Sequence, residues 1–204
     1  MKYYFTAIFF LIIVGTKAQV SPLAGYADEW NDEEYLKCNT AADVTYMTAK
    51  EKKVIYILNL VCANPQLFAN TVLKKHPQTD KQYAHSNAYY KSLVNKLLKM
   101  EAVDPFLPDE KCYSSARCHA ESGVKGYVGH NRQTKECAAK KYFDGECCNY
   151  GSNDPLEIVL TLLIDDGIPS LVHRNIILGD YTKIGVSINF HSKYQYVSVL
   201  DFHY

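Results

Sequence analysis

The chain has 204 residues and zero formal net charge, with 22 Lys+Arg against 22 Asp+Glu. That length suits one ordinary globular domain plus extras. The absence of a basic block and of any charge excess argues against nucleic acid as the main partner.

Residues 1–18 read as a secretory leader. Lys2 is a short positive start, Tyr3 to Val14 an apolar run, and Thr16-Lys17-Ala18 a small-x-small cleavage signal before Gln19. The run is shorter than the roughly 20 residues a bilayer needs, and no other segment is apolar and long enough to span. No cysteine follows the cleavage signal, which argues against a lipoprotein anchor. The expected product is secreted and extracellular, or periplasmic in a cell with two membranes. An oxidising compartment then gives meaning to seven cysteines. Their odd number leaves at least one thiol free or intermolecular. Cys62 is the candidate, as a small buried hydrophobe on the apolar face of a helix. No CxxC pair is present, and the adjacent Cys147 and Cys148 are poorly placed to chelate one ion.

Residues 19–47 are polar, acidic and aromatic, and read as an irregular N-terminal arm whose acids form a solvated tail. Thr48-Ala49-Lys50-Glu51 is a capping box that opens a helix through Val54, Ile55, Leu58, Val61 and Cys62. Asn64-Pro65 breaks it, and a shorter helical turn resumes over 66–75. Ser86 caps the next helix, with Tyr89, Tyr90, Leu93, Val94, Leu97 and Leu98 as its apolar stripe. Residues 104–108 link it to a third helix over about 114–123. The loop 131–144, Arg132 included, reads as solvated surface.

The densest chemistry lies between Gly145 and Asn175. Asp154, Pro155 and Glu157 open a helix as cap, first residue and reach-back partner. Its body, Ile158 to Ile164, is apolar almost all round and should be buried. Asp165-Asp166-Gly167 ends it, with Gly167 as the left-handed terminator. Carboxylates are disfavoured at the negative end of a helix dipole, so His173 or Arg174 should lie close by, Arg174 pairing with Asp165 or Asp166. Lys183 to Phe190 and Tyr194 to Phe202 form a hairpin through His191-Ser192-Lys193. Helices first and a hairpin last give an α+β fold.

Four passages, in order, carry a family pattern. They are Cys118-His119-Ala120-Glu121 leading to Gly129-His130; Gly145-Glu146-Cys147-Cys148-Asn149-Tyr150-Gly151; His173-Arg174-Asn175-Ile176-Ile177-Leu178; and Ile184-Gly185-Val186. Together they resemble the CAP superfamily of cysteine-rich secretory proteins, antigen 5 and pathogenesis-related proteins, most nearly its bacterial SCP-like extracellular branch. The similarity covers roughly 48–202, which makes 48–204 the CAP domain. Cys147 stands where the family's GENxxxG passage has Asn.

The resemblance implies an α-β-α sandwich, with helices on both faces of a mostly antiparallel sheet. It also implies a cleft with two histidines and two acidic residues that binds a divalent ion in several relatives. Matched motif by motif, these are His130, Glu146 and His173, with the second acid at Asp165, where animal relatives have Glu. Two imidazoles and one or two carboxylates suit zinc or a similar ion and leave a place for water. The competing arrangement is a hydrogen-bonded network that neutralises buried charge. A non-enzymatic binder of a small hydrophobic ligand, lipid or sterol, or of a protein partner, is the function the resemblance implies. The alternative is a metal-dependent hydrolase or protease using His130, Glu146 and His173, although no HExxH motif is present. His119 reads as structural, Glu157 as part of a cap, and His76, His85, His191 and His203 as solvent-facing.

Overall fold

A computed structural model describes residues 19–204, and the expected leader lies outside them. Among the described residues, eight α-helices and a four-stranded sheet make an α+β fold. The helices are α1 Glu33–Leu36, α2 Ala49–Ala63, α3 Pro65–Phe68, α4 Ala88–Leu97, α5 Glu110–Ala120, α6 Lys135–Ala139, α7 Pro155–Ile164 and α8 Val172–Ile177. The strands are β1 Leu107–Pro108, β2 Gly145–Tyr150, β3 Lys183–His191 and β4 Gln195–His203.

The sheet order is β1-β3-β4-β2, with β1 parallel to β3 and the other pairs antiparallel. Side chains alternate across a strand, and that alternation separates two cores. Cys147, Ile184, Val186, Leu200 and Phe202 join the larger core with α2 and α7. Cys148, Val197 and Val199 meet Ala116 and Ala120 of α5 on the other face. Helices therefore cover both faces of a mostly antiparallel sheet. The strand β2 lies at its edge, and the site is built along that edge.

Several local signals act as their residue types dictate. Thr48 accepts from the Glu51 N–H, and Glu51 accepts from the Thr48 N–H at 2.7 Å. The second Glu51 oxygen accepts from the Ile188 N–H at 2.9 Å, so the same cap fixes α2 to β3. A π-helical turn, Ala69–Leu73, follows α3. Asn87 rather than Ser86 caps α4, accepting from the Tyr89 and Tyr90 N–H groups. The helix α5 begins earlier than the pattern suggested because Asp109 supplies its cap, accepting from the Cys112 N–H at 2.9 Å. It rests on β3 at Gly185, where a Cβ would overlap the backbone of Cys112 and Tyr113. Only glycine permits that approach.

Two further expectations are corrected. Residues 19–47 are not a solvated tail: Leu23, Trp30, Tyr35, Cys38 and Ala41 are buried in the larger core. Buried Asn59 of α2 donates to the Cys38 carbonyl at 2.9 Å and accepts from the Phe106 N–H at 2.8 Å, tying arm and linker to the helix. The acids do face solvent, on the outside of short turns whose apolar residues point inward. The end of α7 also differs, because Asp165 itself takes the left-handed conformation, φ 58°. Buried Arg174 compensates that end by donating to the Leu163 carbonyl at 2.5 Å and the Ile164 carbonyl at 2.6 Å. Its guanidinium binds these orphan carbonyls rather than either aspartate.

Candidate functional site

Alternation along β2 sends Glu146 and Cys148 to the α5 face, and Cys147 between them to the α7 face. Cys148 Sγ lies 3.8 Å from His130 Nδ1, and Cys147 Sγ lies 3.8 Å from the His173 carbonyl. The adjacent thiols thus stand beside different histidines.

On the α5 face, His130 Nδ1 meets Glu146 Oε1 at 2.9 Å. The other Glu146 oxygen faces Arg132 Nη1 at 2.6 Å, and Arg132 Nη2 reaches Asp201 Oδ2 at 3.3 Å. Asp201 pairs with Glu146 in the β2–β4 register, so two buried carboxylates share one guanidinium. Burial, and then the Glu146 charge, push the Asp201 pKa well above the ordinary carboxylate value. Burial pushes Glu146 upward too, but His130, Asp201 and Arg132 outweigh it and hold Glu146 below its ordinary value. The two carboxyls are thus pushed in opposite directions, Glu146 toward its ionised form and Asp201 toward its protonated one. The Glu146 hydrogen bond raises the His130 pKa. Arg132, expected on a solvated loop, has a side chain only 4% exposed.

On the α7 face, His173 Nδ1 meets Asp165 Oδ1 at 2.7 Å. Asp165 Oδ2 accepts from the backbone N–H groups of His173 at 2.9 Å and Arg174 at 3.2 Å. The left-handed turn thus points this carboxylate at the start of α8, where free N–H groups receive it. Asp166 is exposed and accepts from Asn87 Nδ2 at 3.1 Å.

The four residues singled out by motif form two histidine–carboxylate pairs. Between α7 and the β2 edge lies a cavity of about 210 Å³, lined in part by Cys148, Asn149, Thr161, Asp165 and His173. Each histidine commits Nδ1 to a carboxylate, and among the described residues Nε2 of neither ring makes a hydrogen bond. Imidazoles that bind metals are oriented in this way.

His119 enters the site from α5 and is 3% exposed. It donates Nε2–H to the Gly129 carbonyl at 2.8 Å, and its Nδ1 has no partner. Burial lowers its pKa. Among the described residues, one set of three His, Cys, Asp or Glu side chains brings ligand atoms within 4.8 Å of one another: His119, Glu146 and Cys148, all buried. This group can hold a metal ion. His130, Asp165 and His173 lie outside it.

Other histidines and acids correct the sequence reading. His76 is buried between the Tyr26 hydroxyl at 3.3 Å and Glu157 at 3.4 Å. Glu157 does not reach back to its cap; Asp154 alone accepts from the Leu156 and Glu157 N–H groups, and Glu157 accepts from the Tyr83 hydroxyl. His191 is fully buried and organises the hairpin turn, its Nδ1 accepting from the N–H groups of Lys193 and Tyr194, both at 3.1 Å.

A disulfide joins Cys118 of α5 to Cys137 of α6. Cys38, Cys62, Cys112, Cys147 and Cys148 are free and buried. Burial pushes the Cys62 thiol up to about 12, as suits a small core hydrophobe. Among the described residues, no helix is long and apolar enough to cross a membrane. No family model, curated protein or solved structure matches the chain.

Proposed function

We propose that the chain is a secreted CAP-type domain that acts by binding. It takes a small hydrophobic ligand, a lipid or sterol, or a protein partner through the cleft along β2, with a divalent ion, zinc, held in that cleft. One observation carries the reading: His130 and His173 each commit Nδ1 to a buried carboxylate, and among the described residues neither Nε2 makes a hydrogen bond. Glu146 and Asp165 would orient the rings, and the rings would hold the ion. A bound ion supplies Lewis acidity and an open position for a polar group of the ligand. The order of the four motifs supports the CAP assignment. Burial raises the Cys147 and Cys148 pKa values well above the ordinary thiol value. The nearest sulfur nucleophiles are therefore protonated, which favours binding over covalent catalysis.

The test is a calorimetric titration of Zn²⁺ into the mature protein and into His130→Ala/His173→Ala, with circular dichroism as the folding control. The double substitution is expected to remove one equivalent of bound ion. Identical zinc stoichiometry in two equally folded proteins would refute the ion assignment. Zinc-dependent hydrolysis of a peptide or ester would move the chain to the metal-dependent hydrolases instead.

A further inference from the structure

We propose a separate, inner metal site on the α5 face of the sheet, in which His119, Glu146 and Cys148 hold a zinc-class divalent ion. It shares Glu146 with the cleft reading, as the carboxylate that meets His130, but needs neither His173 nor Asp165. Geometry is the first support. Glu146 and Cys148 project together from β2, α5 delivers His119 opposite them, and the three ligand atoms lie within 4.8 Å of one another. A nitrogen, an oxygen and a sulfur donor make a set that zinc accepts, with a fourth position left for water.

Unmet bonding is the second support. His119 Nε2 gives its hydrogen to Gly129 and lies 4.0 Å from Glu146 Oε1, and the lone pair rests on Nδ1, which is buried and unpartnered. A backbone carbonyl on one ring nitrogen is the usual device for fixing the other as a metal ligand. Leaving such an atom buried and unpaired otherwise costs stability.

Charge is the third. Glu146, Asp201 and Cys148 are buried acids, and Arg132 is the one guanidinium paired with the two carboxylates. A divalent ion would balance the charges of Glu146 and a Cys148 thiolate. On binding, the Cys148 S–H bond breaks, a sulfur–metal bond forms, and the proton leaves to solvent. The His130 hydrogen bond to Glu146 orients that ligand from outside.

Cobalt(II) added to the metal-free protein tests the site, because thiolate ligation produces a near-ultraviolet charge-transfer band. The band is expected in the wild type, in His173→Ala and in Cys147→Ser, and is expected to be lost in Cys148→Ser. Zinc X-ray absorption of the wild type needs no variant, and one sulfur at about 2.3 Å is expected. A zinc spectrum without sulfur, or full band intensity in Cys148→Ser, overturns the proposal. Loss of one equivalent of calorimetric zinc in His130→Ala/His173→Ala, with a second equivalent and the cobalt band retained, would leave the inner site standing by itself.

Discussion

Replacing Arg174 with Leu removes a guanidinium that is 3% exposed and holds two segments together. Its nitrogens donate to the carbonyls of Leu163 at 2.5 Å and Ile164 at 2.6 Å, to the Tyr89 carbonyl at 3.0 Å, and to Ser92 Oγ at 2.7 Å. The first two are the orphan acceptors at the end of α7, and the others belong to α4. A hydrogen bond to a charged donor contributes about 1.5–3 kcal/mol, but simple summation overstates the loss because removing the charge also relieves its burial. With that relief set against four lost bonds and two orphaned carbonyls, about 4 kcal/mol is expected. For a domain of this size that lowers Tm by about 8–16 °C, at about 2–4 °C per kcal/mol. Urea unfolding followed by circular dichroism measures it directly. Arg174→Lys keeps the charge but not the planar fork, and should fall between wild type and Arg174→Leu. A loss for Arg174→Leu within about 1 kcal/mol, the size of an ordinary substitution, would refute the claim that this guanidinium terminates α7.

Three further outcomes are expected. Gly185→Ala drives a methyl into the α5 backbone and should cost about 3 kcal/mol or prevent folding, read by soluble yield and unfolding midpoint; a wild-type midpoint would contradict the close approach. Alkylation after denaturation without reductant should label five cysteines and leave Cys118 linked to Cys137, with peptide mapping as the check. Burial lowers the pKa of His119 and His76, so below about 6.5 the unfolded chain takes up protons that the folded chain refuses. Stability then falls with falling pH by up to about 1.4 kcal/mol per unit for His119. The raised pKa of His130 acts the other way, its contribution being full below about 6.5 and fading as pH climbs through the folded value. His119→Asn should flatten the acid limb of the stability profile, and an unchanged limb would refute the assignment.

The legible parts of the sequence were those in which local chemistry decides. The Thr48 capping box, the apolar run after Pro155 and the terminal hairpin need only neighbours in sequence, and each forms within a residue or two of its reading. The motifs likewise marked His130, Glu146, Asp165 and His173, and the structure sorts them into two couples in contact, His130 with Glu146 and His173 with Asp165. What sequence did not give depends on pairing across the fold. Asp201 joins the site only because β4 lies beside β2 in a register that sets it opposite Glu146. Arg132 sits in a basic loop, and no local signal says that its guanidinium turns inward. Adjacency shows that Cys147 and Cys148 do not chelate one ion together, but not that a strand sends them to opposite faces and leaves Cys148 with His119. Had Gly145–Tyr150 been read as a strand, the shared face of Glu146 and Cys148 would have been visible. Its Gly and Asn gave little reason to do so. The arm misled for a related reason: acids crowd its sequence, while a few scattered apolar residues, Leu23 and Trp30 among them, decide where it goes.

The central claim is that the two histidine–carboxylate pairs serve one cleft. Anomalous diffraction at the zinc edge, from crystals equilibrated with zinc, tests it most directly. The account predicts a peak bonded to Nε2 of His130 and of His173, with Glu146 and Asp165 still on the Nδ1 atoms. A map with no zinc on either ring, in crystals whose rings are well ordered, would contradict it.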